Sequence, residues 1–162
     1  PTTAAAEAET TEAEAKESEA PAETEAQASD PVKEAAMSYF AEFPEDRHMI
    51  NVADLFVKMD AGEDMLIIDI RRADDYAKGH LKGSIQSSLK EIEDPAAQTA
   101  MYKMAKEEMD QSKPVYLLCY SGNKCAKTGI SVMKDAGFDV DNLFIIENGA
   151  KDKDIQAAFV TE

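Results

Sequence analysis

The residues best suited to chemistry lie in one stretch, PVYLLCYSGNKC, at positions 114–125. The apolar run 115–118 predicts a short buried strand that delivers Cys119 to a loop of small, polar and cationic residues. Apolar residues at helical spacing then predict a helix that starts at Cys125 and ends at Gly137. Amides at the start of a helix lack partners within it and carry the positive end of its dipole, so they stabilise a thiolate. Cys119 is therefore the candidate nucleophile.

A cysteine at the end of an apolar strand is also a common inert core residue, and the residues alone leave this interpretation open. Two neighbours favour a reactive thiol. Gly122 lets the backbone turn its amides inward, and Lys124 adds a cation that favours both a thiolate and a bound anion.

Strands alternate with helices along the rest of the chain. The sequence predicts strands at 48–52, 65–69, 83–86, 115–118 and 142–146. It predicts helices at 52–62, 71–79, 96–111 and 125–137, and a last short helix ending near Phe159. Asn51 is expected to cap the first of these helices together with Asp54. This alternation predicts an α/β domain, a small, mostly parallel sheet flanked by helices on both faces, at residues 45–162.

Two further segments precede this domain. Residues 1–30 contain no Val, Ile, Leu, Met or aromatic residue, and we expect a disordered, acidic, Ala/Glu-rich spacer because nothing there offsets the entropy of ordering. Asp30 and Pro31 form a capping pair at the start of residues 31–44, which carry an apolar stripe that stops at Pro44. They predict one extra amphipathic helix packed on the domain.

The charge is strongly negative. The chain has 33 Asp and Glu against 17 Lys and Arg, a net charge of −16, which argues against nucleic acid or anionic membrane surfaces as partners.

The chain opens with proline, so we expect a processed end. An acidic spacer of this kind suggests an exported protein tethered at the cell surface or on the periplasmic side of a membrane through a lipid-modified residue upstream. A solubilising tail on a cytoplasmic protein is the alternative.

Two motifs together resemble the rhodanese-like domain family. The segment LIIDIRRADDYAKGHLKGSI, residues 66–85, resembles the N-terminal signature of the family, with Asp69, Arg71 and His80 at its motif positions. CYSGNKC resembles the active loop of the family, in which a cysteine is followed by two residues, a glycine, one residue and a base. The resemblance covers roughly residues 48–158 and implies a rhodanese-like fold.

The resemblance implies sulfur transfer through a persulfide on Cys119. The donor would be thiosulfate or a related small sulfur-containing anion, and the acceptor a thiol or a cyanide-like nucleophile, with no cofactor. Loop amides could cradle the charged terminal sulfur, and the cation would orient the donor. The expected substrate-binding residues are Tyr120, Ser121, Gly122, Asn123, Lys124, Cys125 and Arg71.

The remaining motif residues suggest structural roles. Asp69 and Arg71 could form an ion pair or line the mouth of a pocket, and the structural role is favoured. His80 is expected to be a hydrogen-bonded structural histidine, since a thiolate that attacks sulfur needs no base. Two histidines and two cysteines at these separations make a poor zinc set, so no metal is expected.

Two departures from the family pattern keep other functions open. Lys124 stands where arginine or threonine is more usual, which gives a point charge in place of a bidentate fork. Cys125 follows Lys124 and could attack a Cys119 persulfide to form a disulfide. The protein would then be a thiol–disulfide redox protein. The alternative, which we favour, is that the Cys125 side chain only packs under the loop. A phosphatase is disfavoured because the loop is one residue too short, and a non-catalytic binding module is disfavoured because the cysteine is retained.

Overall fold

A computed structural model describes residues 48–89 and 95–161. The predicted spacer (1–30) and the predicted N-terminal helix (31–44) lie outside the described residues. In chain order the elements are β1 Met49–Ile50, α1 Val52–Asp60, β2 Leu66–Asp69, α2 Ala73–Lys78, β3 His80–Leu81, β4 Ile85–Gln86, α3 Pro95–Glu107, β5 Val115–Leu118, α4 Lys124–Ala136, β6 Leu143–Ile146, α5 Lys153–Ala157 and β7 Phe159–Val160. In this part of the chain, no helix is long and apolar enough to cross a membrane.

The predicted α/β architecture is confirmed. Five strands form a parallel sheet in the order β1-β6-β5-β2-β4, with β5 at its centre. Asp69 at the end of β2 is in register with Leu118 at the end of β5. Because parallel strands end at the same edge of a sheet, the segments that follow β2 and β5 emerge side by side. Cys119 therefore lies at the carboxyl edge of the sheet.

The central strand is buried on both of its faces. Val115 and Leu117 pack in the cluster that includes residues of α3 and α4, whereas Tyr116 and Leu118 pack in the cluster that includes residues of α1 and α5. Complete burial of an aliphatic side chain contributes roughly 1.5–3 kcal/mol, so these two clusters fix the strand firmly. The result is a rigid base for the residue that follows Leu118.

Local capping positions two of the helices. The side chain of Asn51 accepts a hydrogen bond from the Asp54 amide at 2.8 Å and donates one to its carboxylate at 2.7 Å, which confirms the predicted cap of α1. Helix α4 begins at Lys124, one residue earlier than predicted, and ends at Ala136, followed by the capping residue Gly137, whose φ is +119°. A left-handed residue at this position favours glycine and stops the helix.

The C-terminal segment differs from the prediction. The last helix ends at Ala157, and Phe159 belongs to a two-residue strand that pairs antiparallel with His80 and Leu81. A strand of two residues is too short to show a periodic pattern, and its partner lies far away in the sequence. Helix α3 also ends earlier than predicted, at Glu107, ahead of a turn in which Lys113 N donates to the Asp110 carbonyl.

Candidate active site

The sulfur of Cys119 lies beneath the loop that joins β5 to α4. The residue is 2% exposed, and its Sγ accepts a hydrogen bond from the backbone amide of Gly122 at 2.7 Å. Helix α4, thirteen residues long, begins two residues after Gly122. The sulfur is therefore close to an inward-facing amide and to the positive end of a helix dipole, an environment that stabilises negative charge on sulfur.

Glycine is required at position 122. Its φ is +70°, and a Cβ built there would lie 3.0 Å from the Ile146 carbonyl oxygen and 3.3 Å from the Asn148 amide nitrogen. A side chain would thus strain the backbone and press on the end of β6 and the segment after it. This conformation is the one that directs the Gly122 amide towards Cys119.

A second loop, residues 148–151, forms hydrogen bonds with the backbone of the active loop. Ala150 N donates to the Cys119 carbonyl at 2.8 Å, and Lys151 N donates to the Tyr120 carbonyl at 3.2 Å. Gly149 lies so close that a Cβ would be 2.3 Å from the Cys119 carbonyl oxygen. Asn148 and Gly149 both have positive φ, a conformation that these two residue types tolerate, and the Asn-Gly dipeptide is a turn signal in the sequence.

A small cavity opens beside the sulfur. Its volume is about 180 Å³, and its lining residues are Cys119, Tyr120, Ser121, Asn123, Lys124 and Cys125. The loop residues predicted for substrate binding are thus brought together, with Gly122 contributing its amide to the sulfur. Cys125 occupies the first turn of α4, half-buried against the core cluster that contains Cys119, and both cysteines are present as thiols.

Arg71 lies apart from this cavity. Its guanidinium forms a bidentate ion pair with the buried Asp69 carboxylate, the closest contact being 2.6 Å, and also donates to the Gly79 carbonyl at 2.7 Å. The Phe159 ring covers it, with the guanidinium carbon 4.7 Å from the ring centre. Arg71 is 5% exposed. These contacts tie α2 and β7 to the sheet and support the structural role. Arg71 also lines a separate cavity of about 330 Å³ together with Tyr120, so substrate binding by Arg71 stays a prediction.

His80 is also placed in the framework. Its Nδ1 lies 3.0 Å from the Tyr76 carbonyl oxygen, and its ring stacks on that of Tyr76 with the centres 3.9 Å apart. The Tyr76 hydroxyl in turn donates to the Ser84 carbonyl at 2.7 Å. These contacts fix the turn between α2 and β4, and the histidine is not among the residues that line the cavity at Cys119.

Tyr120 connects the active loop to α2. Its hydroxyl donates to the Asp75 carboxylate and accepts a hydrogen bond from the Arg72 amide at 3.2 Å. The pKa of the Tyr120 hydroxyl is raised by burial and then by this hydrogen bond to Asp75. The same hydrogen bond, followed by one from Lys78, lowers the pKa of Asp75. Sequence reasoning missed this link, since 45 residues separate its two partners.

A second, larger cleft adjoins the cavity. Its volume is about 560 Å³, and among the described residues its lining consists of Ile70, Arg72, Asp75, Ser88, Leu89, Tyr120 and Cys125. Tyr120 and Cys125 line both spaces. Within residues 48–89 and 95–161, no group of three or more His, Cys, Asp or Glu side chains is arranged to hold a metal ion.

Solved structures share this fold. The chain aligns with the BH2092 protein of Bacillus halodurans at a TM-score of 0.58 and 14% identity, over 77% of this chain and 85% of that one. It aligns with a thiosulfate sulfurtransferase of Pseudomonas aeruginosa at a TM-score of 0.52 and 16% identity, over 80% of this chain and 23% of that one. At such identities the likeness concerns the fold.

Sequence relatives cover part of the chain. YrkF of Bacillus subtilis, provisionally named a sulfur carrier protein, is 28% identical over 81 residues, and YibN of Escherichia coli K12 is 31% identical over 87 residues. The matches span 50% and 54% of this chain but only 38% of YrkF and 54% of YibN. The family model of the rhodanese-like domain matches residues 52–152, well over half of the sequence. By its sequence and its fold, the chain belongs to the rhodanese-like domain family.

Proposed function

We propose that this protein is a sulfurtransferase that carries sulfane sulfur as a persulfide on Cys119. The donor is thiosulfate or a related small anion, and the acceptor is a thiol or another thiophilic nucleophile. Membership of the rhodanese-like family supports a role related to sulfur transfer. The observation that carries the proposal is the hydrogen bond from the Gly122 amide to the Cys119 sulfur, at the base of a cavity large enough for a small anion.

The first half of the reaction loads the sulfur. The Cys119 thiolate attacks the outer sulfur of thiosulfate, a new sulfur–sulfur bond forms, and the bond to the sulfonate group breaks. Sulfite leaves with the bonding electron pair, and the enzyme retains a negatively charged terminal sulfur. The loop amides and the helix dipole can stabilise that charge, as donors in an oxyanion hole do for oxygen. Lys124, exposed at the cavity wall, can attract the donor and the departing sulfite.

Intact-mass spectrometry tests the loading step directly. Reduced protein is incubated with thiosulfate and compared with Cys119→Ser and Cys125→Ser variants, while released sulfite is measured in parallel. We expect the wild type and Cys125→Ser to gain the mass of one sulfur atom, with one sulfite released per protein, and Cys119→Ser to gain none. A wild-type protein that releases no sulfite and gains no mass would contradict the proposal.

A thiol–disulfide redox protein is the second candidate, because Cys119 and Cys125 line the same cavity. In that function the two thiols would lose two hydrogens to an oxidant and form a disulfide. The same spectra distinguish the two functions. A loss of two hydrogens on oxidation that needs both cysteines, without any gain of sulfur from thiosulfate, would favour the redox pair.

We also propose that residues 1–30 tether the domain to a membrane through a lipid on the residue upstream. The acidic, apolar-free composition of that segment supports a spacer. Mass spectrometry of the N-terminal peptide from the native source should find a lipidated residue before Pro1. An ordinary initiator methionine in that place would contradict the tether.

A further inference from the structure

The cleft beside the active loop differs from the cavity at Cys119 in both size and character. At about 560 Å³ it is roughly three times as large and falls in the range of sites that bind small organic molecules. Its apolar lining comes from Ile70 and Leu89, both buried, together with the Tyr120 ring and the half-buried Cys125. A small dianion such as thiosulfate gains nothing from such a surface, because apolar walls do not replace its hydration.

The described part of the rim of the cleft is close to electrically neutral. Arg72 Nε lies 3.6 Å from a carboxylate oxygen of Asp74 and 3.6 Å from one of Asp75, and within residues 48–89 and 95–161 the remaining polar lining residue is Ser88. The hydrogen bond from Tyr120 lowers the pKa of Asp75, so this carboxylate stays ionised and offsets the guanidinium charge at neutral pH. Among the described residues, the rim therefore offers no net charge to an ionic ligand, which points to an occupant recognised by its apolar body.

The cleft is connected to the reacting sulfur by shared walls. Tyr120 and Cys125 contribute to both spaces, so a ligand seated in the cleft has one end beside the cavity that contains Cys119. We infer that the cleft binds the sulfur acceptor, and that this acceptor is an uncharged low-molecular-weight thiol with an apolar chain. The inference rests on the proposed function, since it assigns the second substrate of the same site.

The second half of the reaction then has defined participants. The acceptor thiolate attacks the outer sulfur of the Cys119 persulfide and forms a new sulfur–sulfur bond. The bond between that sulfur and Cys119 Sγ breaks, and Cys119 leaves as a thiolate. The acceptor departs as its own persulfide, so no external oxidant or reductant takes part. Burial of the acceptor chain in the cleft holds its sulfur at the cavity and raises the effective concentration of the nucleophile.

A series of ω-hydroxyalkanethiols, with three to six methylene groups, tests the assignment. The protein is loaded with thiosulfate, separated from excess donor, and mixed with each thiol, and the loss of one sulfur is followed by intact mass. Each methylene that enters an apolar site contributes about two- to fourfold in affinity or rate. We expect the second-order rate constant of unloading to rise by about that factor per methylene.

A variant that fills the cleft gives the contrast. Ser88 is exposed at its rim, and Ser88→Trp should remove the dependence on chain length while leaving the slow rate of the shortest thiol. Ser112→Trp is the matched control, because Ser112 is also exposed and does not line the cleft. It should retain the dependence of the wild type.

The outcomes separate the two proposals. Equal rates for all chain lengths in the wild type would overturn the assignment of the cleft, as would a Ser88→Trp variant with the same length dependence as Ser112→Trp. If the protein takes no sulfur from thiosulfate at all, the proposed function itself fails, and the acceptor assignment fails with it. Circular dichroism of both tryptophan variants verifies that each is folded. Hexanol in solution lacks a thiol but can occupy an apolar cleft, so it should slow unloading of the wild type if the cleft is the acceptor site.

Discussion

One methyl group can test whether the loop after β6 holds the active loop in place. In Gly149→Ala, the new Cβ would lie 2.3 Å from the Cys119 carbonyl oxygen and 2.9 Å from the Ser121 amide nitrogen. The residue also has a φ of +55°, a left-handed conformation that alanine adopts with strain. The substitution therefore disturbs the backbone of the nucleophile without changing any side chain in the cavity.

The expected magnitude follows from these contacts. The left-handed conformation costs alanine roughly 1–2 kcal/mol, and loss of the hydrogen bond from Ala150 N to the Cys119 carbonyl adds about 0.5–1.5 kcal/mol. Relief of the contact from 2.3 Å to 3.0 Å requires the Cys119 carbonyl or Gly149 to move by about 0.7 Å. Because a misplacement of about 1 Å can slow a reaction roughly 100-fold, we expect sulfur loading to fall by about 10- to 100-fold.

Gly62 provides the matched control. Its φ is +72°, and nothing lies within 4 Å of a Cβ built on it. Gly62→Ala thus suffers the backbone strain alone, and we expect a loss of about 1–2 kcal/mol of unfolding free energy with an unchanged rate of loading. The comparison separates a general loss of stability from a displaced nucleophile.

Two measurements are needed for each variant. Urea denaturation gives the free energy of unfolding, and sulfite released in a single turnover with thiosulfate gives the rate of loading of folded protein. If folded Gly149→Ala loads as fast as Gly62→Ala, the supporting role of residue 149 is refuted. If Gly62→Ala slows loading equally, then strain at a left-handed glycine explains the slower loading, and the supporting role of residue 149 is refuted as well.

Three further predictions concern single side chains. Arg71→Met should lower the unfolding free energy, measured in urea, by about 3–5 kcal/mol because it leaves the Asp69 carboxylate buried without its partner. A loss of donor affinity without a loss of stability would contradict the structural role of Arg71. Tyr120→Phe should weaken the pH dependence of stability in acid, because its hydrogen bond lowers the pKa of Asp75 in the folded protein. The stabilisation by Asp75 is present above the unfolded pKa near 3.8 and is lost as the pH falls through the folded pKa. Identical acid-unfolding curves of the variant and the wild type would refute this. Lys124→Ala should raise the KM for thiosulfate by about two- to fivefold, the effect of one exposed charge, and an unchanged KM would show that the amides alone bind the donor.

Local patterns in the sequence were sufficient for the centre of the molecule. The apolar run 115–118 is buried on both faces of the sheet, and such a run predicts a central parallel strand. Asn51 and Asp54 form the cap that their spacing predicts. Residues 119–121 and 123–125 come together around one cavity because they lie in one short segment that joins a strand to a helix.

Contacts between distant segments could not be predicted in this way. The hydrogen bond of Tyr120 to Asp75 joins residues 45 positions apart, and neither residue type has a preference that reveals the other. The pairing of His80 with Val160 involves strands of two residues, which show no periodicity. An Asn-Gly dipeptide indicates a turn at residue 148, but the hydrogen bond from Ala150 to the carbonyl of Cys119 depends on the folded sheet.

The hydrogen bond from Ala150 to the Cys119 carbonyl makes the active loop depend on a segment outside the parallel sheet. That segment continues into α5 and β7. Strand β7 pairs with β3 over only two residues, so this second sheet is much smaller than the central one. Small peripheral units of this kind open at lower free energy than the core. We therefore expect this segment to open before the sheet unfolds, although Ile155 of α5 packs in the same cluster as Tyr116 and Leu118. The hydrogen-exchange rate of the Ala150 amide would then report how often the nucleophile loses its support, well before global unfolding begins.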